Sequence, residues 1–174
     1  IHYARMYDTV VDVCKQSEAR RGACAVYLPV EHPDINEFLD IGTEGNPIQN
    51  LQYGVTVTDA WMEEMKEGDR KKRKIWAKII QRRSEFGFPY IMFKDNANKN
   101  TPYKEIGMEI TASNLCSEIQ LPTDSYNSFV CCLGSINVLH WDEIKETDAI
   151  QTYVYFLNAV MDEFIIKSET MPGM

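Results

Sequence analysis

The sequence predicts an α/β fold with a mostly parallel sheet. Short apolar runs of strand character at 24–28, 52–57 and 90–93 alternate with stretches of helical period, and the connections between them are short. The chain has 174 residues, 44% of them hydrophobic, enough for one domain with a core or for a segment of a larger one. No internal repeat or low-complexity stretch breaks the alternation.

Tyr3, Met6, Val10, Val13 and Cys14 recur at helical spacing, so the chain opens in a helix that should end near Gln16, before a stretch closing on Gly22. Residues 24–28 then run apolar up to Pro29, the pattern of a buried strand. A short helix over 33–41 turns Ile35, Phe38 and Leu39 inward, with Pro33 in its first turn. A Gly/Asn/Pro loop over 42–50 leads into the second strand, 52–57. Thr58 and Asp59 cap a helix over 60–66, where Glu63 and Glu64 suit the N-terminal dipole. The next helix, 72–86, carries Ile75, Trp76, Ile79, Ile80 and Arg83 on one side, and Gly87-Phe88-Pro89 breaks it before the third strand at 90–93. After a polar loop over 95–104, residues 109–121 read as extended, 122–127 as a turn, 128–133 as a returning strand and 148–167 as a final helix. That short return permits an antiparallel or loop-like approach of its two arms, which brings Cys116 within reach of Cys131 and Cys132.

A net charge of -8 argues against a nucleic-acid surface, which needs clustered positive charge. The basic run from Arg70 to Lys74 opens an amphipathic helix and reads as its solvated face. Five cysteines, at 14, 24, 116, 131 and 132, show neither a disulfide framework nor a zinc spacing, so no metal site is predicted and a reducing, cytoplasmic setting is. No apolar run is long enough to span a bilayer.

The stretch Asn114-Leu115-Cys116-Ser117-Glu118 places an amide, a thiol and a carboxylate at alternate positions, on one face if the segment is a strand. Two readings fit that spacing. One is a half-buried strand with a core cysteine; the other is a reaction centre with a thiol between a hydrogen-bonding amide and a base. In an extended 128–133 segment Cys131 and Cys132 point to opposite faces, so only one can share a site with Cys116. Two separately held thiols can deliver two electrons and end as a disulfide. A cysteine hydrolase would need a histidine at the thiol, and His2, His32 and His140 carry no motif tying them to it.

Ser113-Asn-Leu-Cys-Ser-Glu-Ile119, followed by Val130-Cys-Cys-Leu-Gly-Ser-Ile-Asn137, resembles the catalytic core of the large (alpha) subunit of class I ribonucleotide reductases. Arg21 to Pro29, His32 to Leu39, Tyr53-Gly-Val55 and Pro89 to Asp95 resemble the same family in the same order, so the likeness covers essentially the whole chain. It implies part of a ten-stranded α/β barrel with the motif on an internal finger loop. It implies that Cys116 becomes a thiyl radical that removes the 3′ hydrogen of a ribonucleotide, that Glu118 takes the 3′ hydroxyl proton and that Asn114 hydrogen-bonds the substrate. Cys131 becomes one half of the redox pair that reduces the 2′ position. Gln16 and Arg20 match the loop that translates effector identity into substrate choice, while Cys14 and Cys24 are structural.

The resemblance further implies ribonucleoside diphosphate substrates, nucleoside triphosphate effectors, thioredoxin or glutaredoxin as reductant, a radical from a metal-containing small (beta) subunit, and a homodimer of the full alpha chain. The chain reads as one segment, 1–174, of the catalytic barrel domain, incomplete at both ends: the partner of Cys131, the regulatory cone and the C-terminal tyrosines lie outside it. Two other readings stand beside the radical enzyme. One is a catalytically silent docking or assembly piece of a split reductase; the other is the core of an adenosylcobalamin-dependent reductase.

Overall fold

Five of the six residues of β2 (Gln52–Val57), Tyr53 to Val57, are buried, because β2 lies between two parallel neighbours. β1 (Ala25–Pro29) pairs with it in the register Ala25 to Gln52 through Pro29 to Thr56, and β3 (Tyr90–Phe93) in the register Gly54 to Tyr90 through Val57 to Phe93. Strands covered on both faces need near-continuous apolar runs, and the three segments read from the sequence supply them. The computed structural model describes residues 1–14 and 21–170, which divide into two compact units, Ile1–Phe129 and Val130–Met174.

In the first unit, α1 (His2–Val13) precedes β1, and a single helical turn, α2 (Ile35–Phe38), follows it. α3 (Asp59–Glu67) and α4 (Arg70–Phe86) make the crossover from β2 to β3. The Thr58 hydroxyl accepts the Trp61 N–H at 3.3 Å to start α3, and Gly68, in the left-handed region at φ 119°, ends it. Asp69 starts α4 by accepting the N–H groups of Lys71 and Lys72 at 2.8 and 3.0 Å, so this helix begins earlier than the sequence predicts. Of the basic run at its start, Lys72 is not fully solvated: it pairs with Glu64 and lies 5.8 Å from the centre of the Trp61 ring.

Leu39, Ile41, Ile48, Val55, Val57, Trp61 and Ile79 form the centre of the core with at most 1% exposure. Asp8 is buried and gathers the chain that enters β2. Its Oδ1 accepts the N–H groups of Gln49, Asn50 and Leu51 at 3.1, 2.7 and 3.2 Å, and its Oδ2 accepts Asn50 Nδ2 at 3.1 Å.

Asp40, just after α2, joins that region to α4 through Lys78 and Arg82, each at 2.9 Å. Burial alone would raise its carboxyl, but hydrogen bonds and charge from Lys78 and Arg82 outweigh it and hold the group below the usual carboxylate range. A depressed folded-state value means the contribution is complete above the unfolded value of about 3.9 and is lost as pH falls through the folded one. Arg82→Met is therefore expected to flatten the acid limb of a stability-versus-pH curve below about pH 4, measured by urea unfolding at stepped pH.

Two predictions about the connections fail. The polar loop over 95–104 contains α5 (Lys94–Lys99) and a 3-10 turn (Pro102–Ile106), because Asp95 and Asn98 each take a tertiary partner that holds the segment. Asp95 Oδ2 accepts the Asp59 N–H at 2.6 Å, and Asn98 binds Ile110. The short helix predicted over 33–41 narrows to the single turn α2, since Asp40, Ile41 and Gly42 turn back in hydrogen bonds of their own.

The second unit begins as irregular chain rather than the returning strand predicted over 128–133, and no ladder partner holds it extended among the described residues. A 3-10 turn (Val138–His140) and the one-turn α6 (Trp141–Ile144) precede α7 (Ala149–Ser168), which lies within a residue of its predicted limits. Among the described residues no helix is long and apolar enough to cross a membrane.

Candidate active site

Residues 108–121 also leave the sheet as irregular chain, where the sequence predicts a strand. The Ser117 N–H donates to the Asn114 carbonyl at 3.1 Å, and Ser117 takes a left-handed backbone conformation, φ 63°. A tight turn abolishes the period of two, so the one-face placement of Asn114, Cys116 and Glu118 is corrected: they sit on a turn. Asn114 is the cause. Its Oδ1 accepts the Ile119 N–H at 3.0 Å while its own N–H donates to the Ile119 carbonyl at 3.1 Å, local bonds that replace a ladder. The amide predicted to face a substrate thus commits Oδ1 to the loop, and its Nδ2 is the group suited to donate outward.

Two further ties hold this turn on the first unit. At its base the Asn98 side chain mimics a strand partner: Nδ2 donates to the Ile110 carbonyl at 2.9 Å and Oδ1 accepts the Ile110 N–H at 2.8 Å. At its tip the Tyr27 hydroxyl lies 2.5 Å from Ser113 Oγ and 3.3 Å from Ser117 Oγ. Tyr27, Gly54 and Tyr90 are register partners across β1, β2 and β3, so the two tyrosines share a face of the sheet with a gap between them. The Tyr27 ring fills that gap: a Cβ on Gly54 would fall 2.3 Å from Tyr27 Cε1.

Cys116 is exposed, as is Glu118. The Tyr90 phenol is pushed up chiefly by burial, then by the charges of Cys116, Tyr27 and Glu118, with Arg83 acting in the opposite direction. The thiol and the carboxylate therefore both act on one phenol on the sheet.

The other predicted residues divide. Cys131 lies in the second unit and is exposed; Cys132 is half-buried, its Sγ 3.1 Å from Met161 Sδ on α7. The two adjacent thiols face different surroundings even without a strand, and Cys131 is the accessible one. Gln16 and Arg20 lie outside the described residues. Burial pushes the Cys24 thiol up, as suits an unreactive, structural cysteine. His32 Nδ1 accepts the Asp34 N–H at 3.1 Å, and His140 Nδ1 lies 3.3 Å from Glu143, so each of these rings is engaged within its own segment.

Sequence reasoning passed over Tyr27, Gly54, Tyr90 and Asn98. Gly54 carried a usable signal, since a glycine inside a buried strand marks a close approach. Asn98 carried none, because its partner stands twelve residues away across a loop.

The profile of the ribonucleotide reductase barrel domain matches residues 1–72 and 66–171. A Frog virus 3 (isolate Goorha) protein, provisionally described as a ribonucleoside-diphosphate reductase large subunit, is 32% identical over 186 residues, covering 95% of this chain and 33% of that protein. A vitamin B12-dependent ribonucleoside-diphosphate reductase from Thermoplasma acidophilum is 31% identical over 187 residues, covering 93% of this chain and 23% of that protein. Among solved structures, the class Id ribonucleotide reductase alpha subunit of Actinobacillus ureae is similar with a TM-score of 0.85 and 50% identity, over 98% of this chain and 32% of that one. The chain spans about a third of the length of the first relatives it matches. The parallel sheet with its α3–α4 crossover agrees with the part of an α/β barrel that the resemblance implied. The chain belongs to the ribonucleotide reductase barrel-domain family and forms part of its α/β barrel.

Proposed function

We propose that this chain is the catalytic-core segment of a ribonucleoside-diphosphate reductase alpha subunit that works by thiyl-radical chemistry. The observation that carries the reading is the turn at Asn114 to Ile119, which presents an exposed thiol and carboxylate from a loop tied to the sheet. The regions that complete its relatives and a small subunit would complete the enzyme, and a metal centre in that subunit would supply the oxidising equivalent.

In this mechanism the Cys116 sulfur, as a radical, takes the 3′ hydrogen of the substrate and becomes a thiol. Glu118 accepts the 3′ hydroxyl proton, which assists departure of the 2′ hydroxyl as water. Asn114 Nδ2 donates to the substrate. Cys131 and a cysteine elsewhere in the polypeptide supply two electrons and two hydrogens and end as a disulfide, and Cys116 returns its hydrogen to the 3′ carbon. One ribonucleotide and two thiols give one deoxyribonucleotide, one disulfide and one water, so atoms and electrons balance. Exclusion of water and stray reductants requires the closed barrel. A thioredoxin or glutaredoxin reopens the disulfide, triphosphate effectors act through the loop bearing Gln16 and Arg20, and the setting is cytoplasmic.

The vitamin B12-dependent relative favours a second radical source for the same residues, adenosylcobalamin. One assay separates the two. Full-length protein with a ribonucleoside diphosphate and a dithiol is expected to form deoxynucleotide when the small subunit is added. Turnover with adenosylcobalamin alone would select the other source, and no product with either would refute the catalytic reading.

A further inference from the structure

We propose that Tyr27 is a positioning residue for the Cys116 thiol, an inference that rests on the reductase reading above. Among the described residues the motif loop has no strand partner, and its backbone bonds are local, so its placement against the sheet depends on side chains. Asn98 fixes the base at Ile110, three residues before Ser113. Only the Tyr27 hydroxyl reaches both serines that flank Asn114 to Cys116, among the hydrogen bonds of the described residues.

The reach is built into the sheet. Tyr27 is carried on β1, whose backbone is locked to β2 in register, and its ring crosses toward the loop over the space that Gly54 leaves open. With either hydroxyl as donor, one phenol can donate to one serine and accept from the other. The same contact holds Ser117 in its left-handed conformation, the backbone state on which the direction of the preceding Cys116 depends. A thiol that must meet one hydrogen of a bound sugar loses rate steeply with small misplacement.

Tyr27→Phe keeps the ring over Gly54 and deletes the two hydroxyl contacts. In the full-length protein with its small subunit it is expected to lower kcat about tenfold, with KM within about twofold and the melting temperature little changed. Adding Ser113→Ala to Tyr27→Phe should cost little more than either change alone, since both cut one linkage. A second readout does not need turnover: iodoacetamide labelling of Cys116, followed by peptide mass spectrometry, should speed up about threefold or more in Tyr27→Phe, with exposed Cys14 unchanged as reference.

Unchanged kcat and unchanged Cys116 labelling would overturn the proposal. So would a fall in kcat that tracks a fall in melting temperature while the two cysteines keep their relative labelling, because that is a purely structural role. Faster Cys116 labelling in a protein whose wild type forms no deoxynucleotide would uphold the tether and refute the reductase reading instead.

Discussion

Cys116→Ser in the full-length reductase, assayed with its small subunit, is expected to bring deoxynucleotide formation to the detection limit, a loss of at least about 10³-fold. Serine is nearly isosteric with cysteine, and the side chain is exposed on a turn whose hydrogen bonds come from Asn114, Ser113 and Ser117, so the fold and nucleotide binding should survive. What changes is the bond: an O–H is far stronger than an S–H, so serine neither accepts the radical at an accessible potential nor exchanges hydrogen reversibly with a sugar carbon. Equilibrium binding of substrate and effector, measured alongside turnover, separates lost chemistry from lost structure. Retained turnover would remove Cys116 from the mechanism. Glu118→Gln is the companion change, since it keeps the shape and removes the base; it should cost about 10²- to 10⁴-fold.

Asp8→Ala is expected to destabilise the protein by about 3 kcal/mol. The carboxylate is 7% exposed and satisfies three consecutive backbone N–H groups and one side-chain amide on the segment that enters β2. Removing it strands these donors beside an apolar core, and an unsatisfied donor costs more than a made bond gains. Asp8→Asn keeps one carbonyl acceptor and loses the charge, so it should fall about midway. Urea unfolding should show a lower midpoint at an unchanged slope. A shift under about 0.5 kcal/mol would mean that water replaces the carboxylate at residues 49–51.

The contrast between the two halves of the first unit explains what could be read in advance. Although the Asp69 cap that starts α4 two residues early went unread, β1, β2, β3, α3 and α4 were legible because burial imposes a period on the sequence, and because Thr58 and Gly87 mark helix ends by local hydrogen bonding or by φ. The motif loop was misread as a strand for the same reason. Residues 109–121 alternate passably, but alternation describes a strand only where a neighbour completes the ladder, and Asn114 instead spends its side chain closing a turn on Ile119. In the same way Asn98 and Asp95 convert a polar stretch into short helical turns by bonding to Ile110 and Asp59.

The candidate site divides along similar lines. The residues proposed to react, Cys116, Glu118, Asn114 and Cys131, come from the order and wording of the motifs. Its scaffold does not, because Tyr27, Gly54 and Tyr90 stand far apart in sequence and share a face only through strand register. The family and the parallel α/β class could be read from the chain alone, since these depend on residue types and on periodicities within single elements. That the motif is a turn, that Asn114 Oδ1 serves the loop and that Tyr27 reaches it across Gly54 emerged from the folded chain. The turn closes through bonds within five residues that prevail where no strand neighbour competes, and the Tyr27 tie joins residues as many as 90 positions apart, which no local pattern encodes.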